Sequence, residues 1–133
     1  MRFTALIHKD ADSAYGVQFP DVPGCFSAGE TVQEALDNAA EALAAHIDWL
    51  ERDGEAVPTP RPPDEIIADP ANKDALEGAF IASVPLVRDL GSTTRINVSL
   101  DLGLLQAIDS EAKHRKQTRS AFIASAVKKE LAA

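Results

Sequence analysis

Apolar and polar side chains alternate from the start of the chain. Phe3, Ala5 and Ile7 fall on one side and Thr4, Leu6 and His8 on the other, which is the period of a β-strand. After a polar turn at 9–13, Tyr15, Val17 and Phe19 alternate with Gly16 and Gln18 and predict a second strand, hence a hairpin. Pro20-Asp21-Val22-Pro23-Gly24 follows as a rigid turn, shaped by proline φ and ended by glycine. Cys25–Ala28 returns as a third short strand. Thr31 with Glu34 makes a capping box that starts a helix at Val32. Val32, Leu36, Leu43, Ile47 and Leu50 share one helical stripe with Ala39 and Ala40 between, and Gly54 closes the helix. Residues 57–63 contain four prolines and read as extended and semi-rigid. Residues 64–78 are polar, with a short helical turn. Phe80, Ala82, Val84 and Leu86 alternate with Ile81, Ser83 and Pro85 across 79–87, a fourth strand in which Pro85 favours an edge or an end. The order βββαβ is an α+β layer of sheet and helix.

Residues 88–93, with Gly91 and Ser92, read as a linker, so the chain is divided into 1–90 and 91–133. Beyond the linker the pattern changes. Ile96, Val98 and Leu100 alternate with Arg95, Asn97 and Ser99, a strand over 94–100. Asp101 then caps a helix carrying Leu104, Leu105, Ile108 and Ala112. Lys116 and Gln117 fall in a break, and Thr118 caps a second helix with Phe122, Ile123, Ala126, Val127 and Leu131.

A lone strand ahead of two short helices has no ladder and too little apolar surface to bury itself. A twofold mate supplies both. Two copies pair their strands antiparallel, and the helices cover Ile96, Val98 and Leu100. Arg95, Asn97 and Ser99 then face outward from both chains. A two-stranded ribbon fits the DNA major groove, where Arg bridges guanine acceptors, Asn bridges adenine's donor and acceptor, and Ser contacts either. At Thr118-Arg119-Ser120 the helix start offers unpaired N–H groups and the positive end of its dipole to a phosphate. Each of these signals alone is ordinary, since strands have solvent faces and helices have caps; their conjunction favours DNA reading.

Charge sharpens the division. The 133 residues carry 13 basic and 21 acidic side chains, net -8, which taken whole argues against a generic nucleic-acid or anionic-membrane binder. Residues 1–92, however, hold 6 basic and 17 acidic groups, and residues 93–133 hold 7 basic and 4 acidic, so a module at -11 precedes one at +3. With 45% apolar residues the composition is globular, but 23 alanines and few aromatics make a light core that a second subunit would help. No apolar run has the length of a membrane span, and Met1 to Asp10 lacks the features of a signal peptide. The expectation is a cytoplasmic protein, with the single Cys25 as a small buried hydrophobe.

At these residues the chain resembles known families. The run from Thr94 to Leu100 through Thr118-Arg119-Ser120-Ala121-Phe122-Ile123 resembles a ribbon-helix-helix repressor domain. The stretch from Tyr15 to Thr31, with Phe19, Pro20, Asp21, Pro23 and Gly24 at its centre and Glu34-Ala35 after it, resembles the HicB antitoxin domain, which implies a partial RNase H-like fold. The order of the two is the order HicB antitoxins use. The resemblance implies a protein that binds and silences a HicA toxin, a small ribonuclease that cleaves mRNA, and that represses its own operon. An acidic module would suit a basic toxin. A dimer through the ribbon is implied, with a tetramer left open. Departures stand at two turns. The first helix of that domain commonly opens with Pro and an acidic residue, where Leu102-Gly103 stand here, and Gly103 weakens the turn by roughly 1 kcal/mol relative to Ala. The interhelical turn usually has Gly at the position of Lys116, so Lys116 must be left-handed if the turn keeps its shape.

Two other classes compete. A free-standing ribbon-helix-helix repressor with a ligand- or protein-sensing first module rests on the second half alone. A nuclease would need converging carboxylates, and Asp10, Asp12 and Asp21 are the available acids, the first two in a polar turn where solvation explains them. His8, His46 and His114 lie on three different elements and show no ligand spacing with Cys25, so no metal is expected. No nucleophile motif, phosphate loop or cofactor fingerprint is present, so no catalysis and no cofactor are expected. Trp49 reads as a packing or interface residue.

Overall fold

β1 (Arg2–His8) is the strand around which the first part of the molecule is built. It pairs antiparallel with β2 (Tyr15–Gln18) through Leu6↔Gln18, Ile7↔Val17 and His8↔Gly16. On its other side it pairs antiparallel with β4 (Phe80–Pro85) from Arg2↔Pro85 to Ile7↔Phe80. β3 (Phe26–Gly29) adds to β2, giving the order β3-β2-β1-β4. Pro85 thus sits at the end of an edge strand, where its missing N–H costs no ladder bond. The computed structural model describes residues 1–132, which divide into two compact units, Met1–Arg88 and a second beginning at Asp89.

One face of the sheet carries α1 (Val32–Arg52). Thr31 caps it: its Oγ1 accepts the Glu34 N–H at 3.1 Å. The helix closes in a Schellman turn, with Glu55 N–H donating to the Leu50 carbonyl and Gly54 N–H to Glu51, and Gly54 at φ 76°. Phe3, Ala5, Ile7, Val17, Phe19, Val22, Cys25 and Val84 pack against Ala35, Ala39, Leu43, Ile47 and Leu50. The stripe expected through Val32 and Leu36 is displaced: Val32 is exposed and Leu36 half-buried. The buried row 35-39-43-47 steps by four, a ridge inclined to the helix axis that follows the twist of the sheet. Where this row meets β3 the two backbones nearly touch. A Cβ on Gly29 would lie 2.8 Å from Ala35 Cα and even closer to Ala35 N. Asn38 Nδ2 secures the approach by donating to the Ala28 carbonyl at 2.9 Å. Cys25 is buried, and desolvation pushes its thiol up to about 11.

The other face was expected to alternate more simply than it does. Thr4 and Leu6 are as buried as Phe3 and Ala5, so β1 is covered on both sides. The cover is the proline-rich segment, which is a strap laid on the sheet. Thr4 Oγ1 donates to the Arg61 carbonyl at 3.2 Å and Ile66 on α2 (Pro63–Ala68) is fully buried, while Val57, earlier in the segment, packs against the core on the α1 side. A 3₁₀ turn at Pro70–Asn72 and α3 (Lys73–Leu76) lead on to β4. Two clamps of charge hold these connections. Asp21 accepts the Arg61 N–H at 2.8 Å and its Nε at 2.7 Å, while Arg61 Nη1 reaches Asp69 at 2.9 Å. The Arg61 guanidinium, with help from the Ala71 N–H, holds the Asp69 carboxyl below the usual carboxylate range. That part of the hold is therefore present at neutral pH and is lost as pH falls through the lowered value. Arg88 grips Asp48 at 2.6 Å and Glu51 at 2.7 Å, tying the end of the first unit to α1.

The second unit is two helices, α4 (Leu102–His114) and α5 (Arg119–Ala132). Asp101 Oδ2 caps α4 by accepting the Gly103 and Leu104 N–H groups. The turn between the helices is a second Schellman motif, with Gln117 N–H donating to Ala112 and Lys116 N–H to Lys113, and Lys116 stands at φ 55°. Residues 94–100, expected as a strand, carry no ladder in the single chain. A strand is defined by its partner, and none is offered within this unit.

Two outcomes are expected. Gly29→Ala forces a methyl into the Ala35 backbone and should lower stability by about 1–3 kcal/mol, measured by urea unfolding; unchanged stability would mean that β3 and α1 are free to separate. Lys116→Gly relieves a left-handed lysine and should stabilise the second unit by about 0.5–1 kcal/mol, seen as a higher melting temperature for its helices.

Candidate functional site

The residues singled out in the sequence fall into two groups on different units. Phe19, Pro20, Asp21, Pro23 and Gly24 form the loop between β2 and β3. Phe19 is buried, its carbonyl accepts the Val22 N–H at 3.1 Å, and the Val22 carbonyl accepts the Cys25 N–H at 3.2 Å. Gly24 takes φ 87°, a left-handed conformation that glycine adopts without strain. Asp21, with a side chain 9% exposed, turns back to the strap. These residues therefore build a frame. Beside them a shallow open groove of about 210 Å³ lies on the sheet, lined by His8, Gly16, Val17, Gln18, Phe26 and Ser27, with Phe26 exposed. Trp49 is also exposed and lies against His46, ring centroids 5.7 Å apart. Asp10 and Asp12 stand in the solvent of the β1–β2 turn, away from Asp21 in its clamp.

In the second unit, Arg95, Asn97 and Ser99 are exposed along the segment that precedes α4, and so are Ile96, Val98 and Leu100. Among the described residues of this unit Ala112 alone is buried. Thr118 Oγ1 accepts the Ala121 N–H at 3.1 Å and its carbonyl accepts the Phe122 N–H at 3.0 Å, so it caps α5. The Arg119 side chain does not extend from this helix start. It folds onto α4, where Nε and Nη2 each meet one oxygen of Asp109 at 2.8 Å. That bridge raises the Arg119 pKa and lowers that of Asp109. Arg115 pairs with Glu111 at 2.8 Å and lies 5.3 Å from the centroid of the Phe122 ring. Asp109 carried no signal of its own in the sequence; its spacing of ten from Arg119 becomes a contact only through the turn at Lys116.

Among the described residues no helix is long and apolar enough to cross a membrane. The sequence pattern of the family described as HicB-like antitoxin of bacterial toxin–antitoxin system matches residues 3–127. An uncharacterized 14.9 kDa protein from the rep-hol intergenic region of Haemophilus phage HP1 (strain HP1c1) is 38% identical over 109 residues, 82% of this chain and 80% of that protein. Antitoxin HicB of Escherichia coli K12 is 35% identical over 89 residues, 62% of this chain and 64% of that one. Among solved structures, the crystal structure of Burkholderia pseudomallei antitoxin HicB superposes with a TM-score of 0.58 at 39% identity, covering 96% of both chains. A chain of the HicA3–HicB3 toxin–antitoxin complex superposes with a TM-score of 0.54 at 36% identity, over 67% of this chain and 99% of its own. With a mixed sheet-and-helix fold that follows solved HicB structures and a family match over nearly its whole length, the chain belongs to the HicB-like antitoxins of bacterial toxin–antitoxin systems.

Proposed function

We propose that this protein neutralises a HicA-type mRNA-cleaving toxin through its first unit and represses its own operon through paired copies of its second. The observation that carries this is the contrast between the two units. Residues 1–88 hold 6 basic and 16 acidic groups around a closed core, a surface suited to a basic partner. The matching chain of the HicA3–HicB3 complex spans a stretch about the length of this unit, which supports it as the toxin-binding part. The sheet-and-helix layer is read as a partial RNase H-like fold whose loop of Phe19, Pro20, Asp21, Pro23 and Gly24 is framework.

The second unit has cations but no interior. Ile96 is 74% and Val98 65% exposed, values that an apolar pair keeps in water only without its natural cover. Antiparallel pairing of 94–100 with the same segment of a second copy makes a ribbon-helix-helix dimer. It gives those side chains a shared core and turns Arg95, Asn97 and Ser99 toward the bases of an operator. The N–H groups of Arg119 and Ser120, beside the Thr118 cap, have no acceptor among the described residues and are placed to meet a phosphate. The action is binding in the cytoplasm, with no cofactor, metal or chemical step of its own.

Co-expression with the product of the adjacent reading frame tests the first half. A stable copurifying complex and suppressed toxicity are expected, and a neighbour neither retained nor silenced refutes it. For the second half, Arg95→Ala or Asn97→Ala should each weaken promoter binding by about 1–3 kcal/mol with helix content unchanged in circular dichroism; ordinary affinity in both would remove the ribbon face from the interface. Val98→Asp puts a charge into the paired core and should leave monomers in analytical ultracentrifugation. A dimer as stable as the parent would overturn the pairing.

A further inference from the structure

We infer that Asp109 competes with DNA phosphate for the guanidinium of Arg119 and thereby holds down binding to DNA of the wrong sequence. This rests on the DNA-reading role proposed above for the second unit.

Arg119 opens α5, beside the amide groups that would hold a phosphate, yet its side chain is already spent. Both oxygens of Asp109 are taken, one by Nε and one by Nη2, each at 2.8 Å. That edge of a guanidinium fits a carboxylate and a phosphate by the same two parallel bonds, so one partner excludes the other from it. Neither group is buried: the Arg119 side chain is 56% exposed and the Asp109 side chain 43%. An exposed pair of this kind is weak and open to exchange. Arg115 is likewise occupied, by Glu111, so both arginines at the α4–α5 junction reach DNA already neutralised. Lys113 and Lys116 close by, and Arg95 on the ribbon segment, have no acid within ion-pair distance among the described residues. The free unit therefore shows DNA fewer unpaired cations than its sequence contains, at an unchanged net charge. A phosphate in the right place, brought there by base contacts from the ribbon, displaces Asp109. A loosely docked duplex has no such placement and meets the carboxylate instead. Asp109 thus costs affinity on any DNA, and costs most where the fit is poor.

The full chain is titrated by fluorescence anisotropy against two duplexes of equal length, one its own promoter and one a scrambled sequence, over a series of KCl concentrations. Asp109→Asn should tighten binding to the scrambled duplex by roughly two- to fivefold per chain, with a smaller gain on the promoter. On the scrambled duplex the slope of log K against log[KCl] should steepen by about 0.9 per chain, the signature of one more phosphate contact, and on the promoter, where Arg119 already meets its phosphate, the slope should stay as it is. In an Arg119→Gln background the same substitution should do clearly less, because the competed group is gone. Equal or weaker binding by Asp109→Asn, or an effect undiminished by Arg119→Gln, overturns the competition. Should the asparagine variant lose helix content, Asp109→Ala removes the carboxylate with a better helix former and is read in the same way. A parent protein that binds neither duplex at low salt defeats the DNA-reading role itself, whereas a parent that binds with no response to Asp109 defeats the competition alone.

Discussion

Backbone meets backbone where β3 runs into the first turns of α1, and the first unit is arranged around that approach. Gly29 has no side chain to keep the helix away, and Ala35 and Ala39 are small enough to let it settle. The larger Leu43 and Ile47 take over further along the same buried row. This taper from alanine to leucine explains how a chain with so many small residues still closes a core. Small side chains bury little area each but allow near contact, and the density of that contact replaces bulk.

The strands and the long helix of the first unit and both helices of the second were legible from the sequence, whereas the strand expected at 94–100 is not formed in the single chain. Strict alternation marked the strands of the first unit and Thr31 with Glu34 marked the helix start, while the need for a left-handed Lys116 came from the resemblance to a ribbon-helix-helix domain. What stayed hidden was how separate stretches meet. Residues 57–63 looked like a spacer, because proline removes both helix and strand from consideration; that they cover Thr4 depends on Asp21 and Arg61 meeting across forty positions. Arg88 looked like the start of a linker and is an anchor. Ion pairs at such separations leave no periodic trace, since they need two complementary charges and nothing between them. The site residues of the second unit were visible as types in a pattern. The partner of Arg119 was not, because Asp109 lies ten positions away on the other helix and a spacing of ten carries no periodic signal.

The two units face opposite problems. The first has a finished interior and an acid-rich exterior, so its partner needs only to match a surface. The second buries only Ala112 among its described residues, and on the reading proposed above it needs another copy of itself before it has a surface to match. If the proposed pairing holds, concentration enters one function and not the other: the first unit would be ready in a single chain, while the second would respond to the square of chain number. An excess of chains would favour the DNA-facing form and a shortage would leave the protein-facing form.

Cys25 gives a last consequence. It is the one sulfhydryl in the sequence, packed beneath the loop of Phe19 to Gly24, with its pKa pushed up to about 11. At neutral pH only about one molecule in ten thousand would carry the thiolate that peroxides and disulfides attack. Oxidative stress thus finds no chemical handle at this residue.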